Sequence, residues 1–538
     1  MNPVRRAARA EMPAEARRWR RDVTFLVLAV LAAGTFAALG RQDANWDLKN
    51  YHFYNAWAFL HGRMGQDIAP AQLQTYLDPL LDVPFYAMVA ADWSPRVIAF
   101  AMALPAGIGA FLLVKILAVL FGALPQAERR NYVVFGALLG LTAANPVSLL
   151  ASTMNEWQGA ALTLLALWLV VRRLSQPAIG AVTLALAGLA SGLASGLKLT
   201  AATFAVGMCA GLVARRPLLR RGVPDALVFG LAVLVGVLVT SGPWMRELYV
   251  RFGNPFFPFF NQWFHSPWWS SQPVLAQAFG PRTALEWLWF PLLLFGRTAG
   301  LVATSGFRDW RMPLLFLAAL ATLVTWLAAG RRPAPLPAAP GPATAWGFVA
   351  IFWLVSWFVW LGLHGIYRYL MPLELLSGAL LLFCLRMTMP PRWRNAAIVI
   401  VTIVTVASVR YPHYERIDFG DHYVRVDVPP VAPHAAVLLL GDEPMAHVLP
   451  FFPPDGRFIG VKNNFIDPAM THRMAMDVAR VVREHDGPLY ALTSPPGAHA
   501  AVLAAHRLRR VDGACAPVVS NLTQRALELC RLERVRSE

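Results

Sequence analysis

Long apolar segments recur along most of this 538-residue chain and constrain its fold more than any other feature. An α-helix needs about 20 apolar residues to cross the hydrocarbon core of a bilayer. We predict about eleven such helices, so the chain is expected to be a mainly α, polytopic membrane protein. The predicted spans are residues 24–40, 96–121, 132–150, 158–171, 178–195, 198–214, 225–242, 312–329, 345–362, 369–386 and 396–409.

The composition agrees with this class, because 57% of the residues are hydrophobic and only 15% are charged. The formal net charge is +17, but the basic residues lie mainly in short clusters between apolar segments. That distribution is typical of membrane topology and not of a polyanion-binding groove. We therefore expect no nucleic-acid partner.

The basic clusters also predict an orientation. If the N-terminus is cytoplasmic, the loops that carry paired arginines all fall on the cytoplasmic side, as the positive-inside rule requires. Those pairs lie at 129–130, 172–173, 215–216, 220–221 and 331–332. We predict a multi-pass protein of the bacterial inner membrane, with an outer loop at about 41–95 and a second outer segment at about 243–311.

The chain after about residue 410 has a different pattern. Short β-like runs (AAVLLLG, RFIGV and PLYALT) alternate with helical patterns (MTHRMAMDVARVVREH and AHAAVLAAHRLRR), which is typical of a small α/β domain. We predict a membrane domain over residues 1–409 and a periplasmic α/β domain over residues 410–538. Cys515 and Cys530 lie fifteen positions apart there, and an oxidising compartment allows them to pair.

The first outer loop places charged residues among aromatic ones. In WDLKNYHFYNAWAFLHG, Asp47 lies close to Trp46, Tyr51 and His52 in a segment with helical spacing, which we expect to lie along the membrane surface. A partly desolvated carboxylate accepts a proton more readily than one in bulk water, so Asp47 is a candidate base. An ordinary interfacial ion pair with a neighbouring cation is the alternative.

Cations occur on the same predicted face of the membrane domain. Lys198, in SGLASGLKLTAA, lies between two apolar runs, where it either faces a functional cavity or extends to the interface. Arg368, in HGIYRYLMPLE, could bind a phosphate together with His364. Such cations would stabilise a departing lipid phosphate while a base activates an acceptor hydroxyl. We assign sugar or acceptor binding to Trp46, Tyr51, His52, Glu156 and Tyr369.

Several of these motifs together resemble a known family. The segments DANWDLKNYHFYNAWAFLHGR, DIAPAQLQTYLDPLLDVPFY, GLKLTAA, GNPFFPFFN and YRYLMPLE stand at matching topological positions in polytopic glycosyltransferases of the GT-C superfamily. That superfamily includes the protein O-mannosyltransferases and the aminoarabinose transferases. The resemblance covers about residues 24–409. The family's site residues map onto Asp47 or, as the competing choice, Asp43, and onto Lys198, Arg368, Tyr369 and Pro372.

The resemblance implies a function. It implies that the chain transfers a sugar from a polyprenyl-phosphate carrier to an acceptor glycan, lipid or protein, with a carboxylate base and inversion at the anomeric carbon. Many members have two adjacent acidic residues in the first loop, whereas Asp43 and Asp47 are separated here by three residues. We therefore favour a single metal-independent base, with a divalent metal as the alternative. A transporter or lipid flippase is the other function that we consider, although the halves of the chain show no internal repeat.

Overall fold

The computed structural model describes residues 14–535 except 177, 215–221, 273–278, 329–341 and 496–498. The arginine clusters at 215–221 and 331–332 therefore lie outside the described residues. In chain order the helices up to residue 408 are α1 Ala14–Leu39, α2 Phe53–Leu60, α3 Val83–Ala90, α4 Pro95–Met102, α5 Leu104–Leu120, α6 Gln126–Leu141, α7 Ala144–Ser148, α8 Glu156–Val171, α9 Ala181–Leu197, α10 Ala202–Val213, α11 Val223–Phe252, α12 Asn261–Phe264, α13 Ala284–Leu293, α14 Arg311–Ala328, α15 Pro342–Leu363, α16 Met371–Thr388 and α17 Pro391–Ser408.

Helices occupy all eleven predicted spans. Six helical segments of the described chain are long and apolar enough to cross a membrane: Ala16–Leu39, Pro95–Leu120, Val223–Phe252, Arg311–Ala328, Ala345–Leu363 and Tyr367–Thr388. Three further predicted spans are shorter apolar helices, namely α8, α9 and the segment Leu199–Val213. The predicted fold class, a mainly α polytopic membrane protein, is confirmed.

Two of the membrane helices, α9 and α11, pack with their backbones in close contact. A Cβ atom added at Gly188 would lie 2.3 Å from the carbonyl oxygen of Phe229, and one at Gly192 would lie 2.2 Å from that of Val233. Small residues four positions apart let two helices approach in this way. The glycines of α9 therefore fix its position against α11, and with it the position of Lys198 just beyond its end.

The predicted span 132–150 is interrupted, because α6 and α7 are separate helices. The backbone N–H of Ala144 donates to Asp309 (3.0 Å), and that of Asn145 donates to Glu374 (3.2 Å). Both carboxylates are buried, and Arg311 forms an ion pair with Asp309 at 2.5 Å. A helix can begin inside the protein here because these carboxylates satisfy its first N–H groups.

The chain beyond α17 builds a six-stranded sheet in the order β3-β7-β8-β6-β4-β5. Its β4 is parallel to both β5 and β6, and the other pairs are antiparallel. The short β1 pairs with β2. The strands are β1 Gln42–Asp43, β2 Arg416–Ile417, β3 Val426–Asp427, β4 Ala436–Leu440, β5 Arg457–Lys462, β6 Leu489–Thr493, β7 Leu508–Ser520 and β8 Leu527–Arg534, and the remaining helices are α18 Arg473–Glu484 and α19 Ala500–Ala505.

Alternate residues of this sheet pack in opposite directions, as the pleat requires. Leu438 and Leu440 belong to the cluster that includes α18 residues, whereas Val437 and Leu439 belong to the cluster that includes the first-loop residues Leu48 to Trp57. We expected the first-loop helix to lie along the membrane surface, and this stays a prediction. The aromatic side chains of Phe53, Tyr54 and Trp57 are buried and pack in one cluster with Val437 and Leu439 of the sheet, which removes their apolar surface from water.

A buried ion pair fastens the first loop to the sheet. Arg63 and Asp67 make a two-fold contact (2.7 and 2.8 Å), and their side chains are only 3% and 2% exposed. Arg63 also donates to the carbonyl oxygens of Pro454 and Gly456, while the N–H of Phe458 donates to Asp67. The pair, which belongs to the first loop, thus satisfies backbone groups of the segment 454–458.

Replacement of Arg63 with alanine should loosen this attachment. Asp67 would be left buried without its cation, a loss that typically costs about 3–5 kcal/mol. We expect a lower unfolding temperature in detergent and faster proteolysis between α17 and the sheet. The control is Arg41→Ala, because Arg41 pairs with Asp418 at the surface (56% and 90% exposed) and such pairs contribute little. Equal stability losses in the two variants would contradict the prediction.

Candidate active site

The break between α9 and α10 positions Lys198. Its backbone is extended (φ −148°, ψ 108°), so the helix stops at Leu197 and the side chain turns toward the start of α8. The ammonium group donates to the carbonyl oxygen of Met154 (2.7 Å) and to Glu156 (2.5 Å). The ammonium group of Lys198 is therefore paired with groups at the start of α8.

Arg368 lies in the 3-10 turn Tyr367–Leu370 that leads into α16. Its guanidinium donates to Asp47 Oδ2 at 2.6 Å, and its Nε lies 3.9 Å from Glu156 Oε1. The guanidinium also contacts the sulfur of Met154 and the hydroxyl of Tyr369, each at 3.3 Å. Three predicted site residues from distant segments, Asp47, Lys198 and Arg368, are thus linked through Glu156.

Asp47 stands in this cluster as a counter-ion. Burial, the largest single effect, would raise the pKa of its carboxyl group, but the nearby positive charges, first that of Arg368, and the hydrogen bond from Arg368 together outweigh it, and the pKa lies below its ordinary value. The carboxylate is therefore ionised at neutral pH and paired. A carboxylate whose pKa is lowered in this way is a weaker proton acceptor than a free one.

A cavity of about 1000 Å³ opens beside these ion pairs. Lys198, Met154 and Tyr369 are among the residues that line it, and Asp47 and Arg368 are not. Most of the remaining wall is apolar or aromatic and includes residues of α11 and of the segment 255–259. Lys198 thus borders the cavity directly. Arg368 lies behind Met154 and Tyr369, two lining residues that it contacts.

The wall contributed by the first loop contains a histidine–carboxylate pair. The Nδ1 atom of His52 lies 2.7 Å from Asp82 Oδ1, and the amide of Asn155 donates to the same oxygen at 2.7 Å. Tyr51 packs its ring 4.1 Å from that of His52. Burial raises the pKa of Tyr51 well above its ordinary value, so its phenol is neutral. The predicted residues Tyr51 and His52 therefore line the cavity with Asp82.

A second cavity, of about 1160 Å³, adjoins the first. The two share lining residues, and the second is lined mainly by apolar side chains of α10, α15 and the segment 258–260. His364 lies here and not among the ion pairs. Burial, with a smaller effect from Lys198, lowers the pKa of His364 to about 4, so this side chain carries no charge at neutral pH to offer a phosphate.

Two further predicted residues lie outside the first cavity. Asp43 accepts hydrogen bonds from Asn45 (2.7 Å) and from the backbone N–H and hydroxyl of Thr153 (both 2.8 Å), and so joins the first loop to the start of α8. Trp46 is half-buried and is not among the lining residues. Asp43 therefore holds the backbone in place. As the competing choice of base, it does not line the cavity.

Two cysteines of the sheet bear on the disulfide prediction and on the metal alternative. Cys515 and Cys530 form a disulfide between β7 and β8. Within the described residues, the one group of three His, Cys, Asp or Glu side chains close enough to share a metal ion is Cys515, Glu528 and Cys530. Because both cysteines are bonded to each other, this group does not offer thiolate ligands.

Known proteins match this chain by fold. No protein-family model and no curated protein matches the chain. ArnT from Cupriavidus metallidurans in the apo state superposes with a TM-score of 0.51 at 14% identity, over 96% of this chain and 98% of that one. The chain has the GT-C fold. The predicted resemblance to GT-C proteins is thereby confirmed at the level of the fold.

Two further solved structures are similar to the chain. ArnT from the same organism bound to undecaprenyl phosphate gives a TM-score of 0.45 at 14% identity, over 96% of this chain and 98% of that one. The oligosaccharyltransferase of Archaeoglobus fulgidus in the apo form gives 0.43 at 11% identity, over 88% and 69%.

Loss of the Asp43 carboxylate should reduce stability. In Asp43→Ala, the amide of Asn45 and the two donors of Thr153 lose their acceptor, at about 1–3 kcal/mol for each donor that stays buried. We expect a clearly lower unfolding temperature in detergent. The matched change Asp418→Ala removes an exposed carboxylate and should have little effect. An unchanged unfolding temperature in Asp43→Ala would show that its hydrogen bonds do not hold the loop.

Proposed function

We propose that this chain is a membrane glycosyltransferase that moves a sugar from a polyprenyl-phosphate carrier to a hydroxyl group of an acceptor glycan, lipid or protein. One observation carries the proposal: an aromatic cavity lined by the half-buried Lys198 adjoins a second, apolar cavity. A polyprenyl-phosphate sugar has three matching parts, namely a ring, an anion and a hydrocarbon chain. Phosphate recognition by cations and ring contact with aromatic faces are ordinary modes of ligand binding.

In the proposal, Lys198 binds the phosphate of the donor. Its side chain is 21% exposed and lines the cavity, so its ammonium group is available to an incoming oxygen. Arg368 supplies a second positive charge from behind Met154 and Tyr369. Both cations stabilise the negative charge that grows on the leaving phosphate. His364 is left out of the phosphate site because it is neutral.

The transfer itself is a single displacement. The acceptor oxygen attacks the anomeric carbon, the bond from that carbon to the phosphate oxygen breaks with its electron pair on the phosphate, and the configuration inverts. The hydroxyl proton passes to a base, which the sequence predicts to be a carboxylate. Asp47 is the predicted one, and Asp82 is a carboxylate that lines the cavity. ArnT, which shares the fold, has been solved with a ligand of the proposed chemical class, undecaprenyl phosphate.

The proposal includes a location. The chain would lie in the bacterial inner membrane, with residues 1–409 as the membrane domain and residues 410–538 as a periplasmic domain that covers the first loop. The N-terminus would be cytoplasmic. The chemistry then takes place on the outer side, where lipid-linked sugars are available and nucleotide sugars are not needed.

The proposed function is tested by the products. We expect that a strain lacking this chain loses one envelope glycoconjugate detectable by mass spectrometry. We also expect the purified protein to release polyprenyl phosphate from at least one undecaprenyl-phosphate-linked hexose, pentose or amino sugar. Movement of labelled lipid across proteoliposomes, with no covalent transfer from any of these donors, would instead support the flippase alternative.

Replacement of Lys198 with alanine should weaken binding of undecaprenyl phosphate. A hydrogen bond to a charged group contributes about 1.5–3 kcal/mol, so we expect an affinity about 10- to 100-fold lower, measured by quenching of tryptophan fluorescence. The matched control is Lys115→Ala, because Lys115 pairs with Asp22 away from the cavity and should bind normally. Unchanged affinity in Lys198→Ala would remove Lys198 from the phosphate site.

The orientation is tested with single cysteines. Met476 is 57% exposed on α18, and Gln126 is exposed at the start of α6. We expect a membrane-impermeant maleimide to label Met476→Cys in intact spheroplasts, and to label Gln126→Cys only after permeabilisation. The opposite pattern would place the sheet in the cytoplasm and overturn the proposed location.

A further inference from the structure

The His52–Asp82 pair on the cavity wall has the geometry of a base and its orienting carboxylate. Asp82 Oδ1 lies 2.7 Å from His52 Nδ1 and also accepts the amide hydrogen of Asn155. An ionised carboxylate has only acceptor atoms, so Nδ1 carries the hydrogen in this contact. The lone pair of the neutral ring is then on Nε2, and the orientation of the ring is fixed.

The other ring nitrogen is left free by the protein. His52 is 5% exposed, and its Nε2 atom is buried without a hydrogen-bond partner among the described residues. A buried polar atom without a partner costs free energy unless something binds it. His52 belongs to the residues that line the cavity containing Lys198, and an acceptor hydroxyl that reaches Nε2 from that cavity would supply the missing partner.

We propose that His52 accepts the proton of the acceptor hydroxyl and that Asp82 is the positioning residue for it. The inference rests on the proposed function. As the acceptor oxygen bonds to the anomeric carbon, its proton passes to His52 Nε2 and the phosphate leaves with the electron pair of the broken bond. The imidazolium, stabilised by Asp82, later returns the proton to water.

Three other groups around His52 bear on this assignment. Asp47 is ion-paired with Arg368 and does not line the cavity. Tyr51, which packs against the ring, is neutral. Asp78 does line the cavity, and its Oδ2 atom is also without a partner in the described chain. Burial, with the charge of Asp82 as a further cause, raises the pKa of Asp78. Asp78 is therefore the main rival as proton acceptor.

Chemical rescue distinguishes these groups. The purified full chain is assayed with whichever undecaprenyl-phosphate-linked sugar the wild type uses, by release of undecaprenyl phosphate. We expect kcat of His52→Ala to fall about 100- to 10,000-fold, with KM changed less than about threefold. Added imidazole should restore kcat at least about tenfold, because the cavity admits a ring of this size. A residue with only a structural role would not be rescued.

Asp82 is tested by pH dependence. The charged groups near His52 on the packed elements are Asp82, Asp78, Asp47 and Lys198. Removal of one carboxylate destabilises the imidazolium, so the acidic limb of kcat against pH should move to lower pH in Asp82→Asn, with a lower maximum. An unmoved limb would contradict the positioning role.

The outcomes distinguish failure of the proposed function from failure of the inference about His52. A wild type that uses none of the donors overturns the proposed function, and the inference falls with it. An active wild type with rescue of Asp47→Ala or Asp78→Ala by formate, and no rescue of His52→Ala by imidazole, overturns the inference alone. If His52→Ala fails to fold, His52→Gln must show the same loss of kcat with normal binding of undecaprenyl phosphate. Near wild-type kcat in His52→Gln likewise overturns it.

Discussion

The site depends on a chain of ion pairs that no single segment could form. Glu156 binds Lys198 (2.5 Å) and lies near Arg368, which in turn binds Asp47 (2.6 Å). The four residues come from the start of α8, the α9–α10 break, the turn before α16 and the first loop. Each charge is too costly to bury alone, so these segments must assemble together. The position of the cavity beside them follows from that assembly.

The sheet keeps the first loop in this assembly from the other side. Lys49 pairs with Glu415, and buried His447 lies between the carbonyl oxygen of Lys49 and the hydroxyl of Ser520. Burial lowers the pKa of His447 to about 3, so the contact is neutral and unaffected by mild acid. The loop segment Leu48–His52 is a π-helix, a rare form that occurs often at functional sites. The sheet supplies the packing that such a segment needs.

The sequence predicted the apolar spans and the residue types of the ion pairs, because hydropathy and buried charge are local signals. It left open whether residues 178–214 form one long helix or two, and the structure has two, α9 and α10. It predicted β4, β5, β6 and α18 from their patterns, but not the hairpin of β7 and β8, whose many charged residues resemble a helical surface. Asp82 and Asn155 were missed as partners of His52. They lie 30 and 103 positions away from it, and nothing in the spacing encodes that proximity.

In the proposed reaction, the distribution of charge favours a base that is not one of the ion-paired carboxylates. The proposed donor is a phosphodiester with one negative charge, whereas the leaving polyprenyl phosphate would carry about 1.5 to 2 negative charges near neutral pH, as phosphate monoesters do. Lys198 and Arg368 are already paired with Glu156 and Asp47, so they would stabilise the phosphate most when its negative charge grows late in the reaction. If Asp47 took the proton, its charge would vanish and Arg368 would lose its counter-ion. The proposed base His52, backed by Asp82, would leave both ion pairs intact while the phosphate departs.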